Sequence, residues 1–554
     1  MRTLRMTAAA ALCVCLLPSI VSGASSGKDE YFTRDFTLSL KVTPGQTVYI
    51  DDIDGNISIS SWEKNEIYVE ATLEMINIDK KNKDLFSKET RIEIDEYRDG
   101  YRIIIDVPDG LDIERKKLSG SVRGFIEELS CGSWIYKPTA EVDLNVTLPR
   151  NVSLDVENSY GDVEIEGIRG DIDVVNESGA ITVRESRGDI VAENRYGDIF
   201  ISDCTGDVEA ENNSGEIGIE DLTGTLEITT SYKTVDVKRI SSDVCITNTS
   251  GEVIATDIGG RLWIDSSYKP VTAINVSGSV TITCNSGEIT AKEMKGDITI
   301  TGSYKPIDFL TIGGDLIIHG NSNQITGADV KGDVDITTSY KSIEISDING
   351  GVTINGPSCP VDLRHVGQDV YIESSYKEIT VVDVGGTCDI DGNSNPVTVE
   401  NITGDVIIKS SYKEIKATNV GGSLDITGGS CPVLVDGVKY DLSISNSYKY
   451  VIVKGAESNI EIEGDSSPIE ISDIKSLPDG GMYDISTSYK RITLILPPNP
   501  SATISARTTY GKIVSDFPMV YKENGTKEAQ ITLGNGNCEI NLTTTSDIYI
   551  KETE

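Results

Sequence analysis

The sequence predicts an all-β protein: a single-stranded parallel β-helix, or β-solenoid, whose 18-residue coils stack around a narrow apolar core. Three repeats support this fold class. A tyrosine recurs at every thirty-sixth position, a serine lies midway between successive tyrosines, and a β-branched apolar residue recurs at every eighteenth position. Repeats of this length are typical of solenoids, in which each coil buries its apolar face only against neighbouring coils.

The repeat is clearest in one column of apolar residues. Counting from Val163 to every eighteenth position gives only valine and isoleucine: Val163, Ile181, Ile199, Ile217, Val235, Val253, Val271, Ile289, Ile307, Ile325, Ile343, Val361, Ile379, Val397, Ile415, Val433, Val451 and Ile469. A second column, two residues later, is mostly apolar with Gly327 as an exception. This spacing places both columns on one face of a strand. A 36-residue coil would have too few inward side chains to fill its interior, so we favour the 18-residue coil.

Three further columns mark the corners between strands. Tyrosines alternate with serines on successive coils, and a ring on one coil can lean over a small neighbour about 4.8 Å away. A glycine column is predicted to turn the chain: Gly170, Gly188, Gly206, Gly224, Gly260 and Gly278. A small polar column is predicted to form a hydrogen-bonded corner: Asn158, Asn176, Asn194, Asn212, Thr230, Asn248 and Ser266.

Four segments are predicted along the chain. Residues 1–23 read as a signal peptide, with Arg2 and Arg5 before an apolar stretch, so we expect a secreted or extracytoplasmic protein. Residues 24–150 form an N-terminal strand region with a first coil and a capping insertion. Residues 151–496 form the regular solenoid, and residues 497–554 form a C-terminal β cap. The winding is expected to be right-handed, as in parallel crossover connections.

The predicted first coil depends on six residues near the N-terminus. These residues are Val48, Ile50, Ile53, Gly55, Ile57 and Ile59. Their spacing is the same as that of Val163, Ile165, Ile168, Gly170, Ile172 and Val174 in a regular coil. Register is lost after this coil and is predicted to resume at Leu154 and Val156.

The charge balance restricts the partners. The 88 Asp and Glu residues against 49 Lys and Arg give a formal charge of -39. Such a surface repels nucleic acid and anionic lipid. No apolar run after the signal segment is long enough for a transmembrane helix.

The residue types of common catalytic sites are scarce or periodic, so no catalytic residue, metal site or cofactor is predicted. The two histidines, His319 and His365, lie far apart in the chain and at different coil positions. Acidic residues recur at turns, and Asp162, Asp171, Asp189, Asp198 and Asp207 are interpreted as one repeated turn position. One glycine per turn differs from the paired glycines of calcium-binding solenoids. The cysteines of the repeats are interpreted as small core residues.

A column of Tyr-Lys pairs is the candidate binding surface. It should line one edge of the solenoid with pairs roughly 10 Å apart, and an aromatic and basic stripe suits a glycan or surface polymer. The candidate residues are Tyr232, Lys233, Tyr268, Lys269, Tyr304, Lys305, Tyr340, Lys341, Tyr376, Lys377, Tyr412 and Lys413. The alternative is that tyrosine only packs the corner and lysine only prevents edge aggregation.

Several segments resemble a known family. They are Val42 to Gln46, Asp54 to Ile57, the repeated Ser-Gly-Glu-Ile and Gly-Asp-Ile units, and Leu533 to Leu542. Together they resemble the putative-adhesin, β-strand-repeat family of bacterial and archaeal secreted proteins. The resemblance implies a β-solenoid and an adhesin-like function. We therefore expect a non-catalytic extracytoplasmic scaffold that presents repeated features to a glycan or cell-surface polymer. A polysaccharide lyase or hydrolase is the alternative.

Overall fold

The protein is described by a computed structural model covering residues 31–76, 80–107, 139–522 and 527–553. The predicted signal peptide and Cys131 lie outside the described residues. The chain divides into two compact units, an N-terminal unit that ends at Gly260 and a C-terminal unit that begins at Arg261. Both are solenoids of stacked β coils, with about 18 coils in total. In the described part of the chain, no helix has the length and apolar character that crossing a membrane requires.

The N-terminal unit contains nineteen described strands and one helix. Before the regular coils these are β1 (Tyr31–Lys41), β2 (Thr47–Asp54), β3 (Ile57–Trp62), β4 (Glu66–Ile76), α1 (Lys80–Glu89), β5 (Arg91–Tyr97), β6 (Gly100–Asp106), β7 (Thr139–Pro149) and β8 (Ser153–Tyr160). The coil strands are β9 (Val163–Glu166), β10 (Ile172–Ser178), β11 (Ile181–Arg184), β12 (Ile190–Asn194), β13 (Ile199–Thr205), β14 (Val208–Asn212), β15 (Ile217–Thr223), β16 (Leu226–Thr230), β17 (Val235–Ile240), β18 (Val244–Asn248) and β19 (Val253–Ile258).

The C-terminal unit contains the remaining described strands. Its first half consists of β20 (Leu262–Ser266), β21 (Val271–Val276), β22 (Val280–Cys284), β23 (Ile289–Met294), β24 (Ile298–Ser303), β25 (Ile307–Ile312), β26 (Leu316–Asn321), β27 (Ile325–Val330), β28 (Val334–Thr337), β29 (Ile343–Ile348), β30 (Val352–Gly356), β31 (Val361–Val366), β32 (Val370–Ser375), β33 (Ile379–Val384), β34 (Cys388–Asn393) and β35 (Val397–Ile402). Its second half consists of β36 (Val406–Ser411), β37 (Ile415–Val420), β38 (Leu424–Gly429), β39 (Val433–Val438), β40 (Leu442–Ser447), β41 (Val451–Ala456), β42 (Ile460–Asp465), β43 (Ile469–Ser472), β44 (Met482–Thr487), β45 (Ile492–Leu496), β46 (Ala502–Thr508), β47 (Ile513–Ser515), β48 (Val520–Lys522), β49 (Lys527–Leu533), β50 (Cys538–Thr544) and β51 (Ile548–Glu552).

Each regular coil has one strand in each of two sheets. Strands such as β11 and β13 belong to sheet A, and strands such as β10 and β12 belong to sheet B. Within each unit, a regular strand pairs in parallel with the equivalent strand of the next coil, as Ile181 with Ile199 and Ile172 with Ile190. The predicted 18-residue coil is therefore confirmed.

The predicted apolar columns form the core. Val163, Ile181 and Ile199 have no measurable exposure, and the column two residues later is also buried from Ile165 to Ile471, except at Gly327. At roughly 25 cal/mol per Å² of apolar surface, a buried valine or isoleucine contributes about 2 kcal/mol, and only the coils on either side supply that burial.

Gly327, the exception in the second column, is explained by its neighbour. Phe309 occupies the same column one coil earlier, is 3% exposed, and has Ala291 on its other side. A Cβ atom on Gly327 would lie 2.5 Å from the Phe309 ring. One large side chain thus fills the volume that a small neighbour leaves.

The corner from sheet A to sheet B depends on a column that the sequence analysis missed. Its residues have left-handed φ angles, between 51° and 80°, and most are Asp, Asn or Gly, which tolerate this conformation best. They are Gly167, Glu185, Asp203, Asp221, Arg239 and Asp257 in the N-terminal unit, and Asn275, Glu293, Thr311, Asp329, Asp347, His365, Asp383, Asn401, Asn419, Gly437, Gly455 and Asp473 in the C-terminal unit. The predicted glycine column bends the chain at the same corner, with φ angles of 139° at Gly188 and 138° at Gly206, and a Cβ on Gly206 would also lie 2.0 Å from the Gly188 carbonyl oxygen. Those glycines permit close approach of successive coils.

The N-terminal cap contains antiparallel strands. In sheet A, β1 pairs with β4 and β4 pairs with β7, both antiparallel, and β7 pairs with β3. In sheet B, the β5–β6 hairpin pairs with β2. These strands cover edges that the first coil would otherwise expose.

The predicted first coil exists, but its phase is wrong by half a coil. Val48 was aligned with Val163, whereas the structure pairs Val48 with Leu154 and Ile57 with Val163. Both halves of a coil carry the same alternation of apolar and polar residues, so spacing alone does not distinguish sheet A from sheet B. The predicted return at Leu154 is confirmed.

The C-terminal end breaks the order of the coils. The last coil, β50 and β51, lies between the coil of β44 and β45 and the coil of β46 and β47. The chain therefore skips one coil position after Leu496, through Pro497, Pro498 and Pro500, and fills that position last. Strands β49 and β48 follow on from β46 in antiparallel pairing, β49 with β46 and β48 with β49.

The Phe309–Gly327 contact predicts strong coupling between two substitutions. Gly327→Val should destabilise the protein by about 1–3 kcal/mol through overpacking. Phe309→Val should cost about 2–4 kcal/mol by leaving a cavity. The double variant should recover most of the loss because it restores the β-branched column. Denaturant midpoints of the four proteins test this, and additive losses would contradict it.

The inserted coil predicts that β46 depends on β50. Leu542 is 1% exposed, and Leu542→Ala should weaken this region by about 2–5 kcal/mol. Hydrogen exchange should then accelerate in β46 as well as β50, because β50 separates β46 from β44. The exposed neighbour Thr543, changed to alanine, is the matched control. Unchanged protection of β46 in Leu542→Ala would show that its stability is independent of the inserted coil.

Candidate functional site

The candidate Tyr-Lys pairs lie at the corner where each coil passes from sheet B to sheet A. Tyr232 and Lys233 belong to the N-terminal unit, and the other pairs belong to the C-terminal unit. All twelve side chains are exposed. The rings keep most of their surface in solvent, from 63% at Tyr232 and Tyr376 to 69% at Tyr412. Packing of the corner therefore accounts for less than half of each ring.

The backbone of these tyrosines is held in an uncommon conformation. From Tyr304 to Tyr489 their φ angles lie between 61° and 68°. A left-handed conformation costs a residue with a Cβ atom on the order of 1 kcal/mol, and glycine or asparagine would avoid most of it. Tyrosine at this corner is thus neither the best turn residue nor a core residue.

Hydrogen bonds to neighbouring coils fix the tyrosine corner in place. The Tyr376 N–H donates to the Asn393 carbonyl oxygen at 2.9 Å. The side-chain amide of Asn395, which is fully buried, donates to the Lys377 carbonyl oxygen at 2.6 Å. The Asn323 amide makes the same bond to Lys305 at 2.7 Å. The rings are therefore presented from an ordered backbone.

The buried side of the corner alternates with the tyrosines. On most tyrosine coils of the C-terminal unit a small polar side chain two residues earlier points inward, such as Ser374, whose hydroxyl donates to the carbonyl oxygens of Gly356 and Cys359. On intervening coils such as that of Ser394, the residue two positions before the serine is glycine. The side chain that points inward belongs to the residue after the serine, here Asn395. A Cβ on Gly392 would lie 2.8 Å from the Asn395 amide oxygen. Two kinds of corner therefore alternate.

The stripe of the C-terminal unit extends beyond the predicted residues. Tyr448, Tyr489 and Tyr510 are 64%, 72% and 80% exposed. The backbone N–H of Tyr489 donates to the Thr545 hydroxyl, and that of Tyr510 donates to the Thr545 carbonyl oxygen. The inserted coil thus separates these two tyrosines, so tyrosines still occupy every second coil. The sequence could not reveal this, because the separation of Tyr489 and Tyr510 along the chain departs from the repeat.

We name as the tyrosine stripe the eight rings of the C-terminal unit that share this corner: Tyr268, Tyr304, Tyr340, Tyr376, Tyr412, Tyr448, Tyr489 and Tyr510. Strands of adjacent coils lie about 4.8 Å apart, so successive rings are about 9.6 Å apart. Hydroxyl and amide groups lie between them, including Ser394 and Asn393 between Tyr376 and Tyr412.

The turn aspartates hold adjacent coils together, but they occupy two columns and not one. Asp171, Asp189 and Asp207 lie at the corner that leads into sheet B, where the Asp189 carboxylate accepts the Asp207 N–H at 3.0 Å. Asp162 and Asp198 lie at the tyrosine corner, where Asp162 accepts the Ala180 N–H at 2.8 Å. The two columns are half a coil apart. Each aspartate follows a glycine in both columns, so the sequence pattern does not distinguish them.

Other chemistry-bearing residues follow the coil period. His365 lies between two carboxylates, with Nδ1 at 3.1 Å from Asp347 and Nε2 at 3.2 Å from Asp383. A groove of about 560 Å³ in the N-terminal unit is lined by Glu193 and Glu211, which occupy equivalent positions on successive coils. No group of three or more His, Cys, Asp or Glu suited to a metal occurs within the described ranges.

The repeat cysteines are free where the structure describes them, and most are buried. Burial raises the pKa of the Cys359 thiol to about 11 and that of Cys388 to about 12. Thiols with raised pKa values are poor nucleophiles at neutral pH.

Fold and corner geometry define a β-solenoid with a regularly spaced aromatic edge. No family model matches the chain, and no curated protein matches it. A structure described as "putative cell adhesion protein" from Clostridium sporogenes shares 14% identity over 36% of this chain and 100% of its own, with a TM-score of 0.20. One described as "putative lipid binding protein" from Parabacteroides distasonis shares 12% identity over 53% of this chain and 94% of its own, with a TM-score of 0.16. Scores this low support no argument, and the family resemblance stays a prediction.

Acid should weaken the contacts that the turn aspartates make. The Thr387 backbone N–H, with its hydroxyl, holds the pKa of Asp369 below its ordinary value, at donor distances of 2.7 and 3.0 Å. A pKa lowered in the folded state gives stability that is present above the unfolded pKa, near 3.9, and is lost as pH falls through the folded pKa.

Asp369→Ala should therefore lower the denaturant midpoint at pH 7, and the difference from wild type should shrink below about pH 4. Asp335→Ala, at an exposed strand position, is the control and should differ little at any pH. A difference for Asp369→Ala that persists at pH 2 would contradict a role for the ionised carboxylate.

Proposed function

We propose that this chain is a non-catalytic, extracytoplasmic adhesion scaffold whose tyrosine stripe and adjacent lysines bind a glycan or cell-surface polymer. The single observation that carries the proposal is the exposure of tyrosines that adopt a costly backbone conformation without being buried. Strained residues that gain no burial are typical of binding surfaces. The extracytoplasmic location is supported by the N-terminal segment, whose charged start and apolar stretch resemble a signal peptide.

The repeated arrangement favours a polymeric partner. Identical sites at a fixed spacing let one extended ligand contact several rings, so that weak individual contacts combine into useful affinity. A compact ligand would use one or two rings and would not require the rest. The formal charge of -39 argues against a strongly anionic polymer as the partner.

The non-catalytic part of the proposal is supported by the regularity of the acidic residues. The turn aspartates are hydrogen-bonded between coils, and the groove glutamates repeat at the coil spacing. A glycoside hydrolase places a pair of carboxylates at a set distance around one bond, which interrupts a repeat.

Replacement of stripe tyrosines should weaken binding strongly without affecting the fold. Tyr340→Ala/Tyr376→Ala/Tyr412→Ala should lower affinity for a glycan array or for whole cells by about 100-fold or more, because each ring contributes about 1 kcal/mol or more. The fold should persist, since these rings are exposed.

Tyr371→Ala/Tyr440→Ala is the matched control, since these rings are exposed outside the stripe. The same preparations are assayed for release of reducing sugars from the bound polymer. Equal binding by the triple variant would exclude the stripe as the binding surface, and sustained sugar release would exclude a non-catalytic scaffold.

A further inference from the structure

We infer that the ligand of the tyrosine stripe is a linear, β-linked glycan that is neutral or weakly acidic. The glycan lies parallel to the stack of coils, and the length of its disaccharide repeat matches the spacing of two coils. This inference rests on the proposed function and adds the class and orientation of the ligand. The observation behind it is the spacing of the rings, which the C-terminal unit maintains by two independent means.

The first means is alternation at positions with similar φ angles. Ser358 and Ser394 occupy the same corner as Tyr340 and Tyr376, one coil along, and all four have φ angles from 63° to 67°. The φ angle alone therefore does not restrict tyrosine to alternate coils. Solvent-exposed rings on adjacent coils would stand about 4.8 Å apart and would leave no room for a sugar between them. A spacing of two coils leaves a gap between successive rings, such as the gap between Tyr376 and Tyr412, and we call each such gap a slot.

The second means is the inserted C-terminal coil. Tyr489 and Tyr510 lie on coils that follow each other along the chain, and direct stacking would place them one coil apart. Strands β50 and β51 separate those coils, and the inserted corner carries Thr545 and Ser546 where a ring would stand. The two-coil spacing of the rings thus persists between Tyr489 and Tyr510, which are not 36 residues apart. Repetition of a 36-residue unit therefore does not explain the spacing at this end of the stripe.

The slots have the chemistry of a sugar site. Each lies between two phenol rings, on which the C–H face of a pyranose can pack, and contains hydroxyl and amide groups for sugar hydroxyls. Between Tyr376 and Tyr412 these groups are Asn393, Ser394 and Ser411, already hydrogen-bonded to one another. Lysines beside the rings can bind an occasional carboxylate.

A β-1,4-linked glycan presents the same ring face at every second sugar, and this repeat is close to the length of two coils. Such a chain would place one disaccharide in each slot without bending. An α-linked chain winds into a helix and loses this correspondence after one slot.

A proline-rich peptide is the competing partner, because a polyproline helix repeats about every 9.3 Å. Its rings need apolar grooves, whereas the slots here are polar. The observations therefore favour the glycan.

The test relocates one ring while the number of rings stays constant. Tyr376→Ser/Ser394→Tyr moves a tyrosine one coil along to a position with a similar φ angle, and Tyr412→Ser/Ser430→Tyr repeats the change at a second site. Tyr376→Phe is the matched control that retains the ring and its position. Binding of chitohexaose, cellohexaose, maltohexaose and a basic proline-rich peptide is measured by calorimetry on the full chain.

A β-linked hexaose should bind wild type at least tenfold more tightly than maltohexaose. The two relocations combined should weaken that binding about tenfold, because they leave no run of four rings at the two-coil spacing for a hexaose, and Tyr376→Phe should stay within twofold. With wild type alone, affinity should rise in steps of two sugars from the disaccharide to the hexaose.

Failure of the inference and failure of the proposed function give different results. If the combined relocation binds as tightly as wild type while Tyr340→Ala/Tyr376→Ala/Tyr412→Ala binds more weakly, the stripe is the site but the spacing match is wrong. If the peptide binds and no hexaose does, the ligand class is wrong. If a hexaose binds the triple alanine variant as tightly as wild type, both proposals are wrong. A smooth rise of affinity with sugar number would also overturn the match.

Discussion

The structure depends on parallel pairing between successive 18-residue coils. A single coil is too thin to bury its own apolar face, so each valine or isoleucine of the core is covered by the same residue type above and below. This requirement makes the columns uniform and fixes register within each sheet, because a shift by one residue would expose the core face. It also means that a large side chain such as Phe309 needs a small neighbour such as Gly327 in the same column.

The two corners of a coil solve different problems. The corner from sheet A to sheet B contains a left-handed residue on every regular coil, and Asp, Asn and Gly supply it at little cost. From Tyr304 to Tyr489, the corner from sheet B to sheet A carries tyrosine and serine in the same left-handed conformation, although neither is well suited to it. Buried groups such as Ser374 and Asn395 stabilise this second corner from the inside with hydrogen bonds between coils. These buried hydrogen bonds therefore hold the backbone from which the exposed rings project.

The core could be predicted from the sequence because its columns are chemically uniform. The columns that start at Val163 and Ile165 are buried as predicted, and the polar column from Asn158 forms bonds such as that of the Asn176 amide to the Gly161 carbonyl oxygen. The phase of the first coil was wrong because the two half-coils carry the same alternation. For the same reason, Asp162 and Asp171 were wrongly predicted to share one turn position. The glycine column correctly predicts a bend at this corner, and the left-handed column of mostly Asp, Asn and Gly, three residues earlier, takes part in the same turn.

The candidate site was predictable only where chain order and spatial order agree. Tyr232 to Tyr412 follow the sequence period, so their common corner was expected. Their backbone conformation and their exposure depend on the corner fold, which spacing does not specify. Tyr510 joins the stripe through strands that arrive later in the chain, and no local pattern indicates that insertion.

Distances between spin labels test the stacking of coils most directly. Labels at Tyr340 and Tyr412, four coils apart, should give about 19 Å, and labels at Tyr412 and Tyr510 should give about 29 Å if the last coil is inserted and six steps separate them. A distance of about 24 Å for the second pair would mean five steps and would exclude the inserted coil. A first distance that departs from four inter-strand steps would contradict the 18-residue coil itself.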